Sequence, residues 1–159
     1  MRRIAVVAVM LAGSAPVARA QLEAPMSPEI RADVITRSSW TSLQLGAGVQ
    51  VPMGYYVRLG LDGGAGVDVG RSSSLRSARA DFLARFLFDP FRQQRWGVSA
   101  GAGVSLLARQ GDRVRPLLLA ALDVEGPRSA NGMEPAFQLG LGGGIRLGVI
   151  LRWGGARTR

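Results

Sequence analysis

Apolar residues alternate with small or charged residues along most of this chain from Thr41 onward. In an extended strand, every second side chain lies on the same face. One face here consists of Leu, Val, Ala and aromatic residues, while the other consists of Gly, Gln, Ser, Arg and Asp; residues 45–49 (LGAGV) are typical. The pattern predicts β-strands whose two faces meet different surroundings.

The alternation predicts six long strands, which turn-forming residues separate. They span residues 41–51, 55–69, 78–88, 96–108, 114–124 and 136–153. No helical periodicity lies between them, so we expect consecutive strands to pair antiparallel. Eight strands are possible, because residues 30–34 could form a short strand and the glycine runs 63–64 and 142–144 could be turns.

The strand lengths favour an all-β, antiparallel up-and-down β-barrel in a membrane. A β-strand needs about 9–11 residues to cross a bilayer, whereas strands of globular proteins most often have about 5–6. Membrane barrels carry an apolar outer face, and aromatic residues form belts at the depth of the lipid headgroups. The predicted aromatic belt residues are Trp40, Tyr55, Tyr56, Phe88, Trp96, Phe137 and Trp153.

The predicted inner face carries charged residues that we interpret as structural ion pairs. They are Arg58, Asp62, Asp68, Arg79, Asp81 and Arg85. A loop centred between residues 73 and 74 would place Asp62 opposite Arg85 and Asp68 opposite Arg79. Opposite charges directly across a strand pair stabilise a sheet.

The inner-face glycines are predicted to make room for large side chains. A first turn centred on Met53 would place Gly48 opposite Arg58. A narrow barrel needs small residues against large ones in this way. The glycines are therefore interpreted as a packing device.

Residues 1–20 have the organisation of a secretory signal peptide: a charged start, a short apolar stretch and the cleavage site Ala18-Arg19-Ala20. We therefore expect an exported protein. Residues 21–37 are expected to form an exposed lead-in and residues 38–159 the barrel domain. The apolar stretch is too short to span a bilayer as a helix.

The chain has no cysteine and no histidine, and all of its basic residues are arginine. Removing residues 1–20 leaves 17 arginines and 11 acidic residues, a net charge of +6, and these arginines are dispersed along the chain. We expect no nucleic-acid binding, since that function is typical of dense basic patches.

Candidate catalytic chemistry is weak. Residues 97–101 (GVSAG) match the G-x-S-x-G nucleophile motif, but this motif needs a strand-to-helix turn and a histidine base. The inner-face carboxylates, including Asp123, each lie near an arginine in the pattern. We therefore expect no catalytic residue, no metal site and no cofactor.

The chain resembles the small bacterial outer-membrane β-barrel proteins, the group of OmpX-like and OmpA-transmembrane-like barrels. The resemblance covers residues 38–153 and rests on the N-terminal signal, the glycine-rich alternating strands and the aromatic strand ends. Family members typically end on an aromatic residue that the barrel-insertion machinery reads, whereas Trp153 is followed by residues 154–159 here.

The resemblance implies an outer-membrane location, contact with outer-membrane lipid and the insertion machinery, and a structural or surface-interacting role without catalysis. The N-terminus is expected on the periplasmic side, with short outer loops at residues 52–54, 89–95 and 126–134. The oligomeric state stays open. The alternatives are a periplasmic, lipocalin-like barrel that binds a small apolar ligand, a narrow pore, and an enzyme that acts through Asp and Ser alone.

Overall fold

The computed structural model describes residues 26–70 and 74–154, so the predicted signal peptide and residues 155–159 lie outside the described part. It contains eight strands: β1 (Ser27–Arg37), β2 (Trp40–Met53), β3 (Val57–Gly70), β4 (Ser74–Leu87), β5 (Gly97–Arg109), β6 (Arg115–Glu125), β7 (Met133–Leu141) and β8 (Ile145–Trp153). Each strand pairs antiparallel with the next, and β1 pairs with β8. The sheet closes, which confirms the predicted up-and-down barrel. Among these residues, no helix has the length and apolarity needed to cross a bilayer.

The strand count differs from six at two places. β1 occupies Ser27–Arg37, most of the expected lead-in. Pro28 is tolerated there because the β8 pairing starts only at Glu29, so its missing N–H breaks no bond to β8. The predicted sixth strand is divided by the 142–144 turn, where Gly143 has a φ of 78°, into two strands of 9 residues each.

The additional strand β1 reverses the direction of every strand that follows it. The connections β2–β3, β4–β5 and β6–β7 therefore lie at the same end of the barrel as the described chain termini, which we call the terminal end. The connections β1–β2, β3–β4, β5–β6 and β7–β8 lie at the opposite end. The predicted placement of the loops 52–54, 89–95 and 126–134 away from the N-terminus is therefore wrong.

The distribution of polar and apolar residues in this barrel is the reverse of that in a water-soluble protein, whose buried residues are mostly apolar. Twenty buried residues of the described part are polar or charged, and only eight are apolar. Large apolar side chains are instead exposed on the outer face; Leu45 is 73% exposed and Phe82 is 51% exposed. The alternation of the sequence therefore separates a polar interior from an apolar exterior.

Glycines on the inner face leave space for charged side chains, as predicted. A Cβ added to Gly101 would lie 2.7 Å from the Ala84 carbonyl oxygen and 2.9 Å from Cγ of Arg85. The predicted pairing of Gly48 with Arg58 is wrong, because the turn is centred on Tyr55 and Gly48 pairs with Asp62. A Cβ on Gly48 would collide with the Asp62 carboxylate, so the space there is used by an acid.

This packing predicts that Gly101→Leu lowers the free energy of unfolding by about 1–3 kcal/mol, which is the usual cost of overfilling a packed interior. Urea titration of the refolded barrel in detergent measures the change. Ala102→Leu is the matched control, because Ala102 is the adjacent residue on the exposed outer face. An equal loss in both variants would contradict the assignment of the two faces.

Candidate functional site

The barrel interior holds a connected set of ion pairs, which we call the charged lumen. Its side chains come from β1, β3, β4, β6 and β8, and each residue is at most 4% exposed. The members are Glu29, Arg31, Asp33, Asp62, Arg79, Asp81, Arg85, Asp123, Glu125, Arg146 and Arg152.

Arg31 on β1 connects strands that are not its neighbours. Its Nη1 donates to Oδ2 of Asp62 on β3 at 2.9 Å, and its Nε donates to Oδ2 of Asp33 at 2.9 Å. Its Nη2 also donates to the Gln138 side chain on β7. One guanidinium thus ties together three strands across the lumen.

Asp123 on β6 forms salt bridges with two buried arginines. Its Oδ2 lies 3.0 Å from Nε of Arg85 and 2.8 Å from Nη2 of Arg152, while its Oδ1 accepts a hydrogen bond from Gln138. Arg152 also donates from Nε to Glu29 at 2.8 Å and from Nη1 to Glu125 at 3.0 Å. Each buried charge here has an opposite charge in contact, as burial requires.

A further pair of arginines lies toward the opposite end. Nη1 of Arg146 donates to Oδ2 of Asp81 at 2.6 Å. Arg79 donates to Asp33, and its Nε lies 3.5 Å from Oδ2 of Asp81. The ion pairs therefore continue along the barrel axis from Glu29 to Arg146.

The predicted strand register of the inner-face charges is wrong by four residues. The β3–β4 pairing places Asp62 opposite Asp81 and Arg58 opposite Arg85, because the turn lies two residues earlier than predicted. Like charges directly opposite destabilise a sheet, so neutralisation has to come from across the lumen. Asp62 and Arg85 do meet, with Nη2 of Arg85 3.6 Å from Oδ2 of Asp62, although they are not paired in register.

The predicted pairing of Asp68 with Arg79 is also wrong. Asp68 lies opposite Leu75, and its carboxylate instead accepts from Arg109 on β5. The guanidinium of Arg109 also lies 4.4 Å from the ring centroid of Trp40. These three side chains lie over the lumen at the opposite end.

Sequence reasoning missed the lumen residues of β1 and β8. The signal was present in β1, where Arg31 and Asp33 alternate with exposed Ala32 and Val34, but the neighbouring prolines favoured a lead-in. In β8, the charged residues Arg146 and Arg152 lie at even-numbered positions of the predicted sixth strand, opposite in face to its apolar odd-numbered residues. The partners of all these charges depend on barrel closure, which no local pattern encodes.

An arginine from the β4–β5 loop pairs with buried acids at the terminal end of the lumen. Arg92 has a φ of 51°, a conformation that is uncommon for a residue other than glycine. From there its Nη2 lies 3.1 Å from Oε2 of Glu125, and it also pairs with Glu134. In the same loop, the Asp89 carboxylate accepts hydrogen bonds from the backbone N–H groups of Gln94 and Gln93. These bonds, chiefly that from Gln94, hold the pKa of Asp89 below its usual range.

Most of the predicted aromatic belt residues lie near the terminal end. Tyr55, Tyr56, Phe88 and Trp96 lie in the connections there, and Trp153 ends β8. Tyr56 stacks on Phe86 at 5.8 Å between centroids. The remaining two are placed differently, since Phe137 lies in the middle of β7 and Trp40 lies at the opposite end.

The chemistry of the lumen is that of mutual neutralisation. No group of three or more metal-ligating acids occurs within residues 26–70 and 74–154. Ser99 of the G-x-S-x-G match lies inside β5, and its hydroxyl donates to Oε1 of Glu125 at 3.3 Å. Ser99 therefore lies within a continuous strand and not at the strand-to-helix turn that a serine nucleophile requires.

No protein-family model matches this chain, and no curated protein matches it.

Asp123→Asn is predicted to lower the free energy of unfolding by about 3–5 kcal/mol, because it leaves two buried arginines without a shared carboxylate. Urea titration in detergent measures the loss. Arg85→Gln and the double variant complete a double-mutant cycle, in which we expect the double variant to lose less than the sum of the single losses. Additive losses would show that the two side chains are not coupled.

Proposed function

We propose that this chain is an outer-membrane β-barrel protein with a structural or surface-interacting role and without catalytic activity. It would be exported through its N-terminal segment, inserted by the barrel-insertion machinery and surrounded by outer-membrane lipid, with both termini on the periplasmic side. The observation that carries the proposal is the inverted burial: charged side chains fill the interior and apolar side chains cover the exterior.

The exterior supports a membrane location over the lipocalin-like alternative. A water-soluble binder of an apolar ligand would place its apolar face inside and its charged face in water. The outer face here instead exposes Leu, Val and Phe side chains on all eight strands; examples are Leu43, Leu61, Phe82, Val104 and Leu147. Monomeric water-soluble proteins rarely expose apolar patches larger than a few hundred Å². The strands have 9 to 14 residues, enough to cross a bilayer.

The interior supports a structural role over the narrow-pore alternative. Side chains that line an open channel are in contact with water. Arg85 and Arg146 are each 1% exposed, and Asp81 is 0% exposed. An eight-stranded barrel has an interior just wide enough for side chains to fill, and these side chains fill it.

A charge on the outer face distinguishes membrane from water. Leu61 lies near the middle of β3 and is 58% exposed. In a bilayer, Leu61→Arg is predicted to lower the free energy of unfolding by about 2–4 kcal/mol, as for an arginine at the midplane. Urea titration in lipid vesicles measures this loss, and outer-membrane fractionation of the expressed chain measures its location.

Val69→Arg is the matched control, because Val69 belongs to the same strand and face but lies beside its end. Its expected cost is about 0–1 kcal/mol, as for an arginine near the membrane interface. A substitution at an exposed site of a water-soluble barrel changes stability by only about 0.5 kcal/mol. A tolerated Leu61→Arg, together with recovery of the wild-type chain in the detergent-free periplasmic fraction, would overturn the proposal.

A further inference from the structure

At the opposite end of the barrel, the β7–β8 hairpin is shorter than the strands on either side of it. The β6–β7 pairing covers only Ala120–Glu125 of β6, so the first five residues of β6, Arg115–Leu119, extend beyond the tip of that hairpin. Five residues correspond to about 17 Å of strand. On the other side, β1 pairs with β8 up to Thr36, and Arg37 continues past it. A notch therefore opens sideways between β1 and β6 at the opposite end of the barrel.

The notch is apolar and large enough to hold a ligand. It has a volume of about 1100 Å³, and its lining includes Leu118, Leu119, Ala120, Leu141 and Ile145, with residues 142–144 as its floor. Ligand pockets commonly measure about 300–1,000 Å³. Leu119 faces inward and packs with Leu83 and Ala121, so the notch joins the outer surface to the apolar part of the interior.

The notch also has a polar boundary. Residues 115–119 have no strand partner on the β7 side, and an open sheet edge does not occur within the hydrocarbon of a bilayer. This edge must therefore lie at the depth of the lipid headgroups. Pro116 within it lacks a backbone N–H, as is common in edge strands. An occupant of the notch would accordingly have an apolar part and a polar part.

Two arginines flank the notch. Arg37 lines it from β1 and makes no ion pair with the described residues. Arg115 begins β6 on the other side, and its Nη2 lies 3.8 Å from Asp112 with 64% of its side chain exposed. Such an exposed pair contributes little, so both guanidinium groups are available to an anion. Arginine binds phosphate through two parallel hydrogen bonds.

We propose that the notch is a lateral binding site for one lipid whose headgroup is a terminal phosphomonoester, with an acyl chain along the apolar lining and the phosphate between Arg37 and Arg115. The proposal rests on the proposed membrane location. It adds a defined lipid class and a defined site to that location.

The purified full chain in neutral detergent tests the site. Phosphatidic acid and phosphatidylcholine with the same acyl chains are titrated in, and native mass spectrometry counts the bound lipids. We expect one saturable phosphatidic acid per barrel and no saturable phosphatidylcholine. Arg37→Gln and Arg115→Gln should each weaken binding by about two- to five-fold, the effect of one partly exposed charge pair. Ala120→Phe should abolish saturable binding, because it fills the notch.

Matched controls lie away from the notch. Arg95→Gln removes an exposed arginine at the terminal end, and Ala80→Phe enlarges an exposed outer-face residue on β4; we expect neither to change binding. Equal binding of phosphatidylcholine, an equal loss in Arg95→Gln, or displacement by the same concentration of inorganic phosphate would overturn the proposal. Each variant is first checked for the heat-dependent gel shift of a closed barrel. A wild-type barrel recovered in the outer membrane that holds no phosphatidic acid overturns this inference alone.

Discussion

The neutralisation of buried charge in a narrow lumen is the constraint on which this barrel depends. An isolated ion in a protein interior costs several kcal/mol, and the interior here contains five arginines that are at most 4% exposed. Each contacts at least one carboxylate on a strand that is not its neighbour. Several of these ion pairs therefore form only when the sheet is closed, since an open sheet would separate Arg146 on β8 from Asp81 on β4.

Glycine makes this arrangement sterically possible. Arg85 lies beside Gly60 and Gly101, and Arg79 lies beside Gly64, where a Cβ would crowd the arginine side chains. The interior therefore gains room for charge by giving up side-chain volume on the neighbouring strands. Because polar residues occupy the interior, the apolar residues of the same strands are left on the outside. The apolar exterior that supports the membrane proposal follows from the same alternation.

The sequence predicted the strand faces well and the closure poorly. Alternation fixes which side chains share a face, so the outward position of Phe82 and the inward position of Arg85 follow from the pattern alone. A strand register depends on the position of the turn. A turn centre displaced by two residues moved every partner by four, which kept the faces but exchanged the partners, as Asp62 and Asp81 show. The notch between β1 and β6 depends on the unequal lengths of the hairpins around it, and these cannot be predicted without knowing that β1 and β8 are paired.

The orientation of the outer face toward lipid is the central claim, and spin labelling tests it most directly. The chain has no cysteine, so single cysteines at Phe82, Val104 and Leu139 on the outer face can each carry a label, with Arg95 in the β4–β5 loop as the reference. In native membranes, we predict that apolar oxygen relaxes the first three labels strongly and a water-soluble nickel chelate relaxes them weakly, with the reverse at Arg95. Relaxation of the three outer-face labels by the chelate as strong as that at Arg95 would contradict the account.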